Sequence, residues 1–268
     1  MFDLRESKVL NLKDDNVICL RPATTYSFRD EATSKKLIAK FISGYADVGD
    51  SMLITEFRKL IMLSGEPEIG TVYYLAKGSY DQEVHSCYVM DFIDGLNIDQ
   101  YMSVDDELTY AFIIDIILQL ASGLEKAHNY EVYHGDLNDE NIMIDILGNL
   151  KIIDFLWTDF GKTKEEKIKS DVDNFKRIVS ALFSKCSPSD KAIGEIIISY
   201  CNSIKIFRGV KRDLMQIDAI SLEISLLDEN SLIILQYLFQ IFKDCHDLRL
   251  VTTVKDIPVP IDRHTCSN

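Results

Sequence analysis

Tyr133-His134-Gly135-Asp136-Leu137-Asn138-Asp139-Glu140-Asn141-Ile142-Met143-Ile144, followed closely by Leu150-Lys151-Ile152-Ile153-Asp154-Phe155, is the stretch that decides the fold. Four polar residues stand at fixed offsets on it. Asn141 follows Asp136 by five positions, and Asp154 follows Asn141 by thirteen. Between them lies a hairpin, and an apolar strand leads directly into Asp154. A plain hairpin with polar turn residues is the bland alternative. The coincidence of spaced acids and amide with an apolar strand argues against it.

Outward from this stretch the chain changes character. The first hundred residues predict short strands at Val17–Arg21, Thr25–Phe28, Leu37–Ile42, Thr71–Ala76 and Ser86–Phe92, with one helix at Ser51–Leu63. From Asp105 onward the periods are helical: Leu108–Asn129, Ser170–Phe183, Ser187–Asn202, Asp213–Glu223 and Ser231–Asp244. The tail from Ile257, with Pro258 and Pro260, reads as extended. The expected fold is α+β in two lobes. Residues 1–93 form a small β-rich lobe and 94–268 a larger helical one, with the connection at Asp94–Asn97 and a cleft between.

Composition narrows the function classes. A net charge of −14 disfavours non-specific binding to nucleic acid or anionic lipid; surface acid that keeps the chain soluble is its plainer reading, ahead of basic partners. The six cysteines form no C-x-x-C pair, so reduced thiols in a cytoplasmic setting are expected, with neither a zinc site nor a disulfide framework. Met1–Glu6 shows no basic segment running into an apolar one, so no signal peptide is expected. The most apolar window, Ala111–Leu124, is interrupted by Asp115 and Gln119 and is too short to span a bilayer.

The stretch from His134 to Asp154 matches H-x-D-L-x-x-x-N and resembles the catalytic loop and metal-binding strand of the protein-kinase-like superfamily. The resemblance implies an ATP- and Mg²⁺-dependent phosphotransferase. Moving a γ-phosphoryl group requires positioning and charge neutralisation more than covalent help. Asp136 would orient or accept the proton of the acceptor hydroxyl. Asn141 and Asp154 offer hard oxygens to Mg²⁺, and His134 anchors the loop. The resemblance groups Asn138 with the catalytic residues, because it stands where Ser/Thr protein kinases usually place a lysine near the γ-phosphate. A literal Asp159-Phe160-Gly161 follows no apolar strand, so Asp154, in Asp154-Phe155-Leu156, is the better metal ligand.

Other landmarks continue the resemblance. Lys40, in Leu37-Ile38-Ala39-Lys40-Phe41, is similar to the lysine that reaches the α- and β-phosphates, and Glu56 is its helix partner. Met90 would back the purine pocket, with the backbones of Asp91 and Ile93 on the base edge. His128 and Asp171 match structural positions. As ordinary features, Lys40 is an edge-strand lysine and Glu56 a solvated helix residue; the loop is what tips both towards function.

Three departures stand out. No glycine-rich turn precedes Lys40: Leu20-Arg21-Pro22-Ala23-Thr24-Thr25-Tyr26 has no glycine, leaving Arg21 or the amides of residues 23–25 to cover the phosphates. Position 138 is asparagine, as in the His-Gly-Asp-x-Asn loop of RIO-type kinases, and His-Gly-Asp also opens the aminoglycoside phosphotransferase loop. The segment from Asp154 to Asp171 spans only 17 positions and has no Ala-Pro-Glu, although Thr158 and Thr163 are possible phosphate acceptors. The expectation is an atypical, minimal Ser/Thr protein kinase acting on a protein substrate. That substrate would be a host protein if the chain is an effector delivered into another cell. A small-molecule kinase and a pseudokinase binding module are the alternatives.

Overall fold

The computed structural model of the protein describes residues 9–11, 17–21, 24–41, 49–80, 83–104, 107–155, 161–187 and 190–225. Along them run β1 (Val9–Asn11), β2 (Ile18–Arg21), β3 (Thr25–Arg29), β4 (Lys36–Phe41), α1 (Gly49–Met62), β5 (Val72–Tyr80) and β6 (Glu83–Asp91). These are followed by β7 (Gly95–Asn97), α2 (Ile98–Val104), α3 (Tyr110–Asn129), a 3-10 turn (Asp139–Asn141), β8 (Ile142–Asp145) and β9 (Leu150–Ile152). The helices α4 (Lys164–Ser184), α5 (Lys191–Ser203) and α6 (Val210–Ser225) complete the described chain. The expected α+β division into a sheet lobe and a helical lobe is observed. The helix expected over Ser231–Asp244, the tail from Ile257, Pro22, Ala23, Ile42, Thr158, and Asp159 with Phe160 lie outside the described residues.

The upper sheet has the order β1-β5-β6-β4-β3-β2, antiparallel except for the parallel pair β1–β5. Strand alternation explains its two faces. Leu37, Ala39 and Phe41 of β4 join Cys87 and Val89 of β6 in one apolar cluster on the outer face. Ile38 of β4, with Tyr88 and Met90 of β6, faces the other way into the main core. Helix α1 covers that inner face with Leu53, Phe57 and Leu60, three apolar residues at helical spacing. Fully burying a side chain such as Phe57 stabilises by roughly 1.5–3 kcal/mol.

In the helical lobe α3 is central. Ile113, Ile117, Leu120 and Leu124 are almost completely buried, and the same core continues through Phe175 of α4 and Ile217 of α6. The lobes are joined at more than the 92–94 connection. Ile152 N–H donates to the Glu68 carbonyl at 2.8 Å, and Gly70 N–H donates to the Ile152 carbonyl at 2.9 Å. Lys126 of α3 reaches Glu66 at 3.1 Å and Glu68 at 2.7 Å. The β7 strand lies so close to β8 that a Cβ on Gly95 would sit 1.9 Å from the Ile144 carbonyl oxygen, so only glycine fits there.

Two differences from expectation have one cause. Helix α2 begins directly after the connection expected at Asp94–Asn97, over residues for which the sequence suggested no element, and α4 begins six residues before Ser170. Each opens on a capping arrangement: Asn97 with Gln100, whose side chains and backbone N–H groups bond reciprocally, and Thr163 with Glu166. These local signals outrank apolar periodicity at a helix start. No helix among the described residues is long and apolar enough to cross a membrane. Cys19, Cys87, Cys186 and Cys201 are free thiols.

Candidate active site

Register places the first functional side chain. Lys40 pairs with Thr25 on one side and Tyr88 on the other. Directly paired residues project to the same face of an antiparallel sheet, here the inner one. Lys40 Nζ donates to Glu56 Oε1 at 2.8 Å and to Asp154 Oδ1 at 2.6 Å, across 16 and 114 positions of sequence. Glu56 is buried on the same stripe of α1 as Leu53 and Phe57, and Tyr88 Oη donates to its Oε1 at 2.9 Å. Burial alone would lower the lysine pKa. The charges of Asp154 and Glu56 outweigh it and hold Lys40 above the ordinary value, hence charged. Tyr88, pushed up by burial and then by Glu56, stays a phenol.

Asp154 ends the strand-like run after β9 with φ +62°, a left-handed conformation that disfavours L-residues other than asparagine and aspartate. That backbone is held from both sides. Ile153 N–H donates to the Asn141 carbonyl at 3.0 Å, and His134 Nε2 lies 2.8 Å from the Ile153 carbonyl. His134 Nδ1 accepts from Asp136 N–H at 3.2 Å, which assigns the proton to Nε2 and a neutral ring. Complete burial lowers the His134 pKa in agreement, against the pull of Asp171.

Asp171 of α4 organises the loop from below and is fully buried. Its carboxylate accepts from His134 N–H and Gly135 N–H, each at 2.9 Å, and contacts His128 Nε2 at 2.9 Å. Gly135 has φ +80°, a turn that glycine adopts without strain. Burial opposes ionisation of Asp171, but the hydrogen bonds from His128 and Gly135 prevail and its pKa lies below the usual aspartate value.

The rest of the loop is closed by its own amides. Asn138 Oδ1 accepts from Glu140 N–H at 3.0 Å and Asn141 N–H at 3.2 Å, capping the 3-10 turn, while its Nδ2 donates to the Asp136 carbonyl at 3.1 Å. Asn141 Nδ2 donates to the same carbonyl at 2.9 Å. The Asp136 carboxylate is exposed and takes no hydrogen bond from a described residue. Nor do Asn141 Oδ1 and Asp154 Oδ2, which leaves an amide oxygen and a carboxylate oxygen on adjacent backbones.

At the end of β6, Met90 is buried beside Ile38. Asp91 donates its N–H to the Thr71 carbonyl at 2.9 Å, so that N–H is committed and does not serve a base edge. Its Oδ1 is held by Tyr73 Oη at 2.7 Å and Lys35 Nζ at 2.6 Å. Ile93 is half-buried in the connection that follows. Thus Lys40, Glu56 and Asp154 meet directly, Asp136, Asn138 and Asn141 share the loop, and Met90, Asp91 and Ile93 line the strand leading out. Two partners had escaped the sequence. Tyr88 is found only through sheet register. The Arg21–Glu140 contact, Nη2 to Oε2 at 3.2 Å, joins residues 119 apart and has no local signal.

The family model described as "Protein kinase domain" matches residues 22–177. The probable serine/threonine-protein kinase PknB of Lactococcus lactis is 24% identical over 134 residues, 50% of this chain and 21% of that protein. The serine/threonine-protein kinase PrkC of Bacillus subtilis is 26% identical over 137 residues, 50% of this chain and 20% of its own length. The chain therefore spans about a fifth of the length of these curated relatives. The crystal structure of the Mycobacterium tuberculosis PknI kinase domain superposes with a TM-score of 0.52 at 14% identity, covering 73% of this chain and 90% of that one.

Proposed function

Because the chain belongs to the protein kinase domain family, we propose that it transfers the γ-phosphoryl group of ATP to a serine or threonine hydroxyl of a protein, using Mg²⁺. The observation that carries this is Lys40 held between Glu56 and Asp154, at 2.8 and 2.6 Å. That clamp gathers one residue from each of three separate segments and keeps a cation charged at the cleft.

In this mechanism Lys40 binds the α- and β-phosphates and Glu56 holds it forward. Met90 backs the base, with the Asp91 carbonyl and Ile93 backbone on its edge. The acceptor hydroxyl places its oxygen on the γ-phosphorus as the bond to the β-phosphate oxygen breaks, and its proton passes to the Asp136 carboxylate. ADP and the phosphorylated hydroxyl are the products. Asn141 Oδ1 and Asp154 Oδ2 would hold Mg²⁺, which screens the phosphate charge when bound. Two protein oxygens suit an ion that takes few protein ligands and relies on phosphates and water. Both ends of the Asn138 amide are bonded within the loop, which supports a positioning role for it. The described residues of the two proposed units, 1–93 and 94–268, serve as the two walls of the cleft.

A second acceptor class has its own support. Helix α4 opens ten positions after Asp154, leaving a short segment on which to lay an extended peptide. A compact cationic acceptor would also suit the charge of −14. Labelled ATP and Mg²⁺ incubated with the chain and a generic basic protein separate the two. Label on protein, absent with Asp136→Ala, supports the first; turnover only with a cationic sugar supports the second; no transfer to either rejects both.

A further inference from the structure

The catalytic loop is poor in positive charge. From Tyr133 to Asp145 there is no lysine or arginine, while Asp136, Asp139, Glu140 and Asp145 are acids. A polyphosphate entering beside it meets Lys40 from above and needs a second cation towards the loop side. The turn between β2 and β3 lacks the glycines that let amides approach phosphate. Its Thr24 N–H is already committed to the Arg21 carbonyl at 3.2 Å. What the hairpin does present is a side chain. Arg21 pairs with Thr25, and Thr25 with Lys40, so the three form one row across β2, β3 and β4. Two cations of that row reach down to the lower lobe: Lys40 to Asp154 at 2.6 Å, and Arg21 to Glu140 at 3.2 Å. Lys40 is only 16% exposed in its pair, whereas Arg21 and Glu140 are 55% and 62% exposed.

We propose that Arg21 is a second phosphate-binding residue of this cleft, covering the outer phosphates in place of backbone amides, with Glu140 holding it across the cleft until nucleotide enters. This rests on the ATP-binding function proposed above. An exposed pair contributes little and is readily exchanged, and a guanidinium matches phosphate oxygens with two parallel N–H donors. On entry of nucleotide the arginine changes partner from carboxylate to phosphate. Glu140 is thus a competitor of the nucleotide, not a brace for it.

The sign of two substitutions tests this. Titration calorimetry on the full chain with Mg²⁺ compares ATP with adenosine, which has no phosphate. Arg21→Ala should weaken ATP by about 10- to 100-fold, the loss of one charge-assisted contact, and leave adenosine unchanged. Arg21→Lys should fall between. Glu140→Gln should tighten ATP by about 2- to 5-fold. If Arg21→Ala and Glu140→Gln both weaken ATP and adenosine alike, the pair is only a brace and the proposal fails. ATP binding that depends on Lys40 but not on Arg21 overturns this proposal alone. A wild-type chain that binds no ATP overturns the proposed function with it.

Discussion

The floor and the roof of the cleft are built on opposite terms. On the floor, Asp171 is fully buried and accepts from two backbone N–H groups of the catalytic loop, and Asn138 and Asn141 close what remains. The roof hairpin carries exposed Ile18, Leu20 and Arg21, and among its described residues Arg21 meets the floor through a solvated ion pair with Glu140. Buried hydrogen-bonded charge fixes geometry because its loss leaves donors unsatisfied in a dry site. A solvated pair fixes little. Atoms proposed for proton and metal handling therefore sit on the rigid side, and the covering element on the side that opens cheaply.

The largest effect should come from striking the junction between them. Asp154→Asn keeps a side chain that tolerates φ +62° but removes the charge that Lys40 and a metal ion would share. Phosphoryl transfer should drop by about 10³-fold, while thermal unfolding shifts by only a few degrees. Unchanged transfer in a labelled-ATP assay would remove Asp154 from the chemistry. Next in size, Asp171→Asn turns an acceptor of several N–H groups into a half-donor inside the floor. Chemical denaturation should show a loss of about 3–5 kcal/mol, the range for breaking a buried charge network. A loss below 1 kcal/mol would mean that the floor is not held from beneath and that the contrast with the roof is false.

The floor was also the part most legible in the sequence. Asp136, Asn138, Asn141 and Asp154 lie within 19 residues, so their spacing records the loop that joins them. Strand β4 was legible because Leu37, Ala39 and Phe41 alternate with Ile38 and Lys40 across two apolar clusters. Long-range partners were not: nothing near Arg21 indicates Glu140, and Tyr88 meets Glu56 only because β6 lies beside β4. Helix α2 was missed although Asn97 and Gln100 carry its capping signal, since seven residues are too few to display a helical period. Asn138 was grouped with catalysis on position alone. Which atoms its amide bonds is a property of the folded loop.

A smaller effect separates floor from roof by pH. His134 is neutral and buried, and burial sets its pKa below the ordinary histidine value of 6.5. The unfolded chain takes up this proton first, so the stability that neutral His134 contributes is fully present above pH 6.5 and is lost as pH falls towards the folded pKa. Denaturation free energy should decline as pH falls below 6.5, and His134→Gln should flatten the decline. An equal slope in both would place the titration elsewhere. The smallest change belongs to the roof. Arg21→Ala breaks a pair that is 55% and 62% exposed, so unfolding free energy should shift by no more than about 1 kcal/mol and by less in high salt. A loss as large as that of Asp171→Asn would make Arg21 a structural tie between the lobes. The hairpin could not then exchange a carboxylate for a phosphate without unsettling the fold, and the difference between a fixed floor and a removable cover would disappear.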